Sequence, residues 1–199
     1  MKNFTSYFLA IPLPIQFQAK FINLLKEIKF IQLSLQMVKP ETPHVTLFYL
    51  TKEIEKNFKK VDGAIKANLD ILKNSQLTIG GFGYFEKDNP KTIFRAERET
   101  RVSLFLNVES SPSIKVFKEK ISKLLVDYST KDNLSPFVPH LTLAAIKTNQ
   151  AKKDFLDKRQ LIEQYLEKIS WSFNIEELVL YGADSKQQPE YQEKIIEFK

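Results

Sequence analysis

The chain has two histidines, and both stand in the same phrase: Pro43-His44-Val45-Thr46-Leu47 and Pro139-His140-Leu141-Thr142-Leu143. Imidazole is the side chain whose unperturbed charge change falls near neutral pH, so two of them can supply one proton acceptor and one proton donor together. On a strand, residues i and i+2 project from the same face, about 6.5–7 Å apart at Cα. His44 then shares a face with Thr46, and His140 with Thr142, while Val45, Leu47, Leu141 and Leu143 turn toward a core. Two such strands brought side by side place two imidazoles and two hydroxyls around one small volume. That set suits transfer at a phosphodiester. A base takes the proton of the attacking oxygen, an acid protonates the leaving oxygen, and hydroxyls donate to the non-bridging oxygens where charge builds. Each proton transfer is typically worth about 10² to 10⁴ in rate. A lone strand histidine beside proline is commonly a structural device. Four fixed positions repeated on the only two histidines of a chain are better explained by joint chemistry.

The phrases need strands to carry them, and the pattern around each supplies one. Residues 45–50 and 141–146 are rich in β-branched and apolar side chains, and the prolines before each histidine keep the lead-in extended. Further strands are predicted over 7–11, 36–39, 77–85, 92–96, 102–108, 171–173, 177–181 and 193–198. Apolar residues at helical spacing predict helices from Pro14 through Ile28, over 53–72, from Ser113 to about Tyr128, and over 152–168. Gly80-Gly81-Phe82-Gly83 interrupts one strand, which marks a bulge or a close backbone approach. No linker or low-complexity stretch divides the chain, so 1–199 reads as one α+β domain of two lobes, each built around one copy of the phrase, with a cleft between them.

Composition narrows the classes. There is no cysteine, which removes disulfide frameworks, thiolate metal sites and cysteine nucleophiles. Two histidines with no carboxylate at ligand spacing beside either make a poor metal set, and the chemistry above calls for no cofactor. The net charge of +6 favours anionic partners without arguing for a long nucleic-acid stripe. No run approaches the length of a membrane span, and the N-terminal apolar run is too short for a signal sequence. A cytoplasmic monomer with no membrane partner is expected.

At the two histidine phrases the chain resembles the two-histidine (2H) phosphoesterase superfamily, and within it the RNA 2′,3′-cyclic phosphodiesterases, or 2′-5′ RNA ligase-like proteins. The likeness extends to the opening Tyr7-Phe8-Leu9-Ala10-Ile11-Pro12-Leu13-Pro14, to Pro136-Phe137-Val138-Pro139 before the second phrase, and to Glu177–Tyr181 with Tyr191 near the end. The resemblance implies a bilobal fold of two antiparallel sheets with outer helices, related by a pseudo-two-fold about a central cleft. It implies His44 and His140 as catalytic residues, Thr46 and Thr142 as phosphate-binding residues, and RNA termini or small nucleotides as substrates. It further implies His140 as the base that activates water and His44 as the acid.

One position departs from the subgroup's pattern: the arginine commonly found five residues after the second histidine is replaced by Ala145, and Lys147 is the nearest substitute on the same strand face. Related specificities therefore stay open, namely 2′-5′ oligoadenylate cleavage, ADP-ribose cyclic phosphate hydrolysis and RNA 3′-end trimming. So does a module that binds nucleotides or RNA ends without turnover. Among Phe8, Phe48, Phe82, Tyr84 and Phe85, any ring could stack a base; Tyr84 is preferred because its glycine-interrupted strand borders the expected cleft, with Phe48 as a further candidate contact. Arg95, Arg98 and Arg101 form a small cationic group that could meet an RNA backbone or simply face water, and Trp171 is expected in the core.

Overall fold

Alternation along the first strand already separates two apolar layers. In the computed structural model, β1 (Ser6–Pro12) sends Tyr7, Leu9 and Ile11 into the large core, while Phe8 and Ala10 join a second, smaller cluster on the other face. The structure describes residues 4–30, 35–88, 100–134, 136–184 and 191–199. The remaining strands are β2 (Gln36–Met37), β3 (His44–Leu50), β4 (Gln76–Asp88), β5 (Thr100–Ser110), β6 (His140–Ile146), β7 (Ser170–Asn174), β8 (Leu178–Asp184) and β9 (Tyr191–Phe198). Four helices complete the order: α1 (Ile15–Phe30), α2 (Phe58–Lys66), α3 (Pro112–Leu124) and α4 (Asn149–Leu166).

Every strand pair described is antiparallel, and the order is β7-β4-β5-β6-β3-β1-β8-β9, with β2 also on β6. The two expected sheets are thus joined into one hydrogen-bonded array. The joint is narrow: β3 meets β6 at the single pair Val45↔Leu141. Beyond it the strands splay. Gln36 and Met37 fill the gap along β6, and Ser129 and Asn133 fill it along β3. Outward from the joint the order matches on both sides, β6-β5-β4-β7 against β3-β1-β8-β9.

All four helices pack on one face. Phe21, Leu24, Val61, Ile65, Ile114, Phe117, Phe155 and Ile162 meet Val45, Leu47, Leu104, Leu106, Leu141 and Leu143 in the large core. The helices thus lie on the side opposite the histidines. Trp171 is buried in that core against Phe17. Residues 53–72 do not form the one helix their spacing predicts. They form a 3₁₀ turn at Lys52–Lys56, then α2, then a second 3₁₀ turn at Leu69–Leu72, because Asn57 and Asn68 take non-helical φ of −139° and −125° between them. α3 begins after Ser111 with Pro112 in its first turn, two residues before the expected cap. The strand expected over 92–96 and residues Arg95 and Arg98 lie outside the described residues; Arg101 sits on β5.

Candidate active site

The two histidines open their strands: His44 is the first residue of β3 and His140 the first of β6. Val45 and Leu141, paired at the joint, are 2% and 1% exposed and point into the helix-covered core. Their neighbours must therefore project from the opposite face. Because the pairing is antiparallel, His44 comes level with Thr142, and Thr46 with His140. Residues opposite one another across strands have Cβ atoms about 4.5–5.5 Å apart. The expected four side chains therefore share one patch at the joint, each partly open to solvent.

The prolines explain how each ring is held. His44 Nδ1 lies 2.7 Å from the carbonyl oxygen of Thr42, and His140 Nδ1 lies 2.8 Å from that of Val138. In both cases the partner sits two residues back, across the proline. A carbonyl can only accept, so Nδ1 carries the hydrogen in each neutral ring, and Nε2 carries the basic lone pair. The repeated phrase thus specifies a ring orientation and a tautomer as well as a residue type.

The rings differ in their surroundings. His44 lies beside Phe8, stacked at 4.8 Å, and Tyr181, at 5.3 Å; Phe8 and Tyr181 stack on each other at 5.1 Å. Enclosure of this ring pushes its pKa down to about 4, with the Thr42 carbonyl opposing and the nearby charge of His140 adding to the depression. His140 has Phe105 at 4.9 Å and the edge of Phe85 at 5.2 Å. The Phe105 ring passes over Gly83, where a Cβ would overlap it.

A bulge follows each phrase at the same place. In β3, Thr46 pairs with Ala10 and Phe48 with Leu9, so Leu47 is the extra residue. In β6, Thr142 pairs with Phe105 and Ala144 with Leu104, so Leu143 is extra. A bulge shifts the alternation by one. This corrects one expected contact: Phe48 is fully buried in the helix-side core, and Tyr49, paired with Phe8 and 38% exposed, takes the site face. Tyr49 is held at both its backbone N–H and its carbonyl by the Asn133 side chain, at 2.9 and 2.6 Å. Ala145 occupies the matching place in β6, between Ser103 and Gln36. Lys147 is exposed just beyond the end of β6.

Tyr84 is also corrected. The bulge at Gly80 and Gly81 turns it toward the helices, where its ring meets the edge of Phe155 at 5.5 Å and its hydroxyl accepts from Arg159 Nη1 at 3.1 Å. Phe85, one residue on, is the ring of this strand that reaches His140. Sequence reasoning missed Tyr181 and Phe105; neither carries a local signal, since their place depends on which strands become neighbours. Among the described residues no three of His, Asp and Glu come together as a metal-binding group, and no helix is long and apolar enough to cross a membrane.

Comparison with known proteins agrees with this architecture. Among solved structures, the chain is similar to TT0787 of Thermus thermophilus, at 16% identity over 97% of this chain and 96% of that one, with a TM-score of 0.64. It is similar to E. coli LigT complexed with 3′-AMP, at 16% identity over 98% of each chain and a TM-score of 0.60. The MHV ns2 PDE domain follows at 16% identity over 96% of this chain and 99% of that one, with a TM-score of 0.52. At such identities the likeness speaks for the fold. No curated protein matches the chain in sequence. A family model described as the 2′-5′ RNA ligase superfamily matches residues 16–187, and the chain belongs to that superfamily, the 2H phosphoesterase kinship that its two histidine phrases imply.

Proposed function

We propose that the protein is a phosphodiesterase that opens 2′,3′-cyclic phosphates at RNA ends or on nucleotides by paired-histidine acid–base catalysis. One observation carries this reading: both histidines hold Nδ1 on the carbonyl two residues back, on adjacent strands, with a threonine level with each. Two imidazoles and two hydroxyls supply a base, an acid and two anion donors, so the step calls for no metal. Membership of the superfamily supports phosphodiesterase-type chemistry, and the 3′-AMP, ATP and NADP+ complexes of the similar LigT support a nucleotide ligand.

The depressed pKa of His44 suits it to the base role and leaves the acid role to His140, the reverse of the roles the resemblance implies. His44, with its pKa near 4, stands neutral at pH 7 and can accept a proton at Nε2. Water attacks phosphorus and passes a proton to His44. The bond from phosphorus to one ribose oxygen breaks, and that oxygen takes its proton from His140 Nε2. Thr46 and Thr142 donate to the non-bridging oxygens through the step. Proton exchange with solvent then resets both rings. Tyr49 offers an exposed ring on the same face for a base to stack on.

The test is incubation with 2′,3′-cyclic nucleotides, cyclic-phosphate-ended RNA and 2′-5′ oligoadenylate, with products identified by mass. Ring opening of the cyclic phosphates is expected. Cleavage of 2′-5′ oligoadenylate alone would move the protein to that related specificity, and nucleotide binding with unchanged ligand would reduce it to a binding module.

A further inference from the structure

The Gly80-Gly81-Phe82-Gly83 phrase takes no part in the chemistry above, yet it makes room for its neighbours: a Cβ on Gly80 would meet the Ile169 carbonyl, and one on Gly83 would meet the Phe105 ring and the Asn107 carboxamide. Ile79 pairs with Val108 and Phe82 with Leu106, so Gly80 and Gly81 together face Asn107 across a bulge. Gly81 has φ +71°, a left-handed conformation that glycine adopts without strain. The Asn107 Nδ2 donates to the Phe82 carbonyl at 3.0 Å. A Cβ on Gly81 would lie 3.5 Å from Nδ2, and one on Gly83 would come within 2.8 Å of Oδ1. Gly83 thus leaves space for the carboxamide, and the Phe82 carbonyl in the bulge orients it. On its other side Asn107 pairs directly with His140, so both side chains project from the same face. Asn107 is exposed, and asparagine is disfavoured inside strands.

A carboxamide has two N–H donors and one acceptor oxygen. One donor goes to Phe82, which leaves a second N–H and the oxygen on the residue paired with His140. From this juxtaposition we propose that Asn107 contacts the substrate and hydrogen-bonds, as donor and acceptor, to the nucleoside attached to the leaving oxygen. The proposal rests on the phosphodiesterase reading and names the residue on the nucleoside side of that site. A donor–acceptor pair of this kind matches a nucleobase edge, which asparagine can read bidentately, or a pair of polar sugar atoms.

The experiment measures kcat and KM of wild type and Asn107→Ala for the 2′,3′-cyclic phosphates of adenosine, guanosine, cytidine and uridine. Loss of a substrate hydrogen bond is expected to raise KM about tenfold while kcat stays within about threefold. A rise confined to one or two bases assigns the contact to the base edge; an equal rise for all four assigns it to the sugar. A residue that merely supported the bulge would lower kcat by misplacing His140 and leave KM as it was. A second readout uses the unaltered protein: the Asn107 side-chain amide signal should shift on titration with 3′-AMP. If wild type turns over and neither KM nor the amide signal moves, the Asn107 proposal falls while the phosphodiesterase reading stands. If wild type neither cleaves a cyclic nucleotide nor binds 3′-AMP, both fall.

Discussion

The two copies of the histidine phrase share a backbone and differ in their neighbours. Each has proline before the ring, Nδ1 on the carbonyl across it, a threonine two residues on and a bulge at the next leucine. Around that common frame, His44 lies against Phe8 and Tyr181, whereas His140 lies beside Phe105, Phe85 and Asn107. Five residues after the histidine, one copy shows Tyr49 and the other Ala145. In the proposed mechanism the shared features fix the geometry that both proton transfers need, and the differing features set the charge and contacts that separate the two roles. On that reading a duplicated phrase yields an acid and a base from the same residue type.

The largest effect tests whether both copies are needed. Alanine at His44 or at His140 should each lower kcat by about 10²- to 10⁴-fold, with far-UV circular dichroism unchanged. If one variant kept most of its turnover, the two copies would not form a pair. Next come the hydroxyls: Thr46→Val and Thr142→Val should each lower kcat by about 10²-fold, in line with loss of one oxyanion donor. A large loss in one and none in the other would mean that the phosphate sits off the joint.

Acidity tests the difference directly. The acid limb of the kcat/KM profile should fall near pH 4, where His44 gains its proton. Phe8→Leu opens the His44 ring to water and should move that limb to higher pH, while Phe85→Leu on the other copy should leave it in place. The same shift acts on stability. His44 is depressed in the folded chain, so between about pH 6.5 and about pH 4 the unfolded chain takes up a proton that the folded chain refuses. Stability is therefore full above that window and falls as pH drops through it, by up to about 3 kcal/mol. Urea unfolding at several pH values should show this slope in wild type and its loss in His44→Gln.

The smallest effect concerns Ala145. Ala145→Arg sets a guanidinium on the site face at the place matched by Tyr49, and a charge-assisted contact with phosphate should lower KM about three- to tenfold. An unchanged KM would show that this place does not reach the phosphate.

That the two histidines and two threonines share one face was legible in the sequence because alternation is short-ranged. Only one residue separates each histidine from its threonine, and strand geometry holds over that distance. Most of the strands, the helices outside 53–72 and the core position of Trp171 followed from composition and period in the same way. What failed lay beyond a bulge. Phe48 is four residues from His44, and unbroken alternation places it on the histidine face. The extra residue Leu47 turns it into the core and brings Tyr49 out. Ala145 is five residues from His140, an odd spacing that reaches the site face only because Leu143 is extra. Tyr84 and Phe85 change faces for the same reason at Gly80 and Gly81. Bulges at leucine carry no local signal, since they arise from how a strand fits its partner. Asn57 and Asn68 broke the helix expected over 53–72, although apolar spacing runs straight through both.

Oxygen tracing tests the paired-histidine claim most directly. Wild type, His44→Ala and His140→Ala are incubated with a 2′,3′-cyclic nucleotide in water enriched in ¹⁸O, and the product phosphate is weighed by mass spectrometry. One labelled oxygen in the wild-type product, with product lost by orders of magnitude in both variants, is the predicted result. Labelled product formed by either variant at the wild-type rate would contradict it.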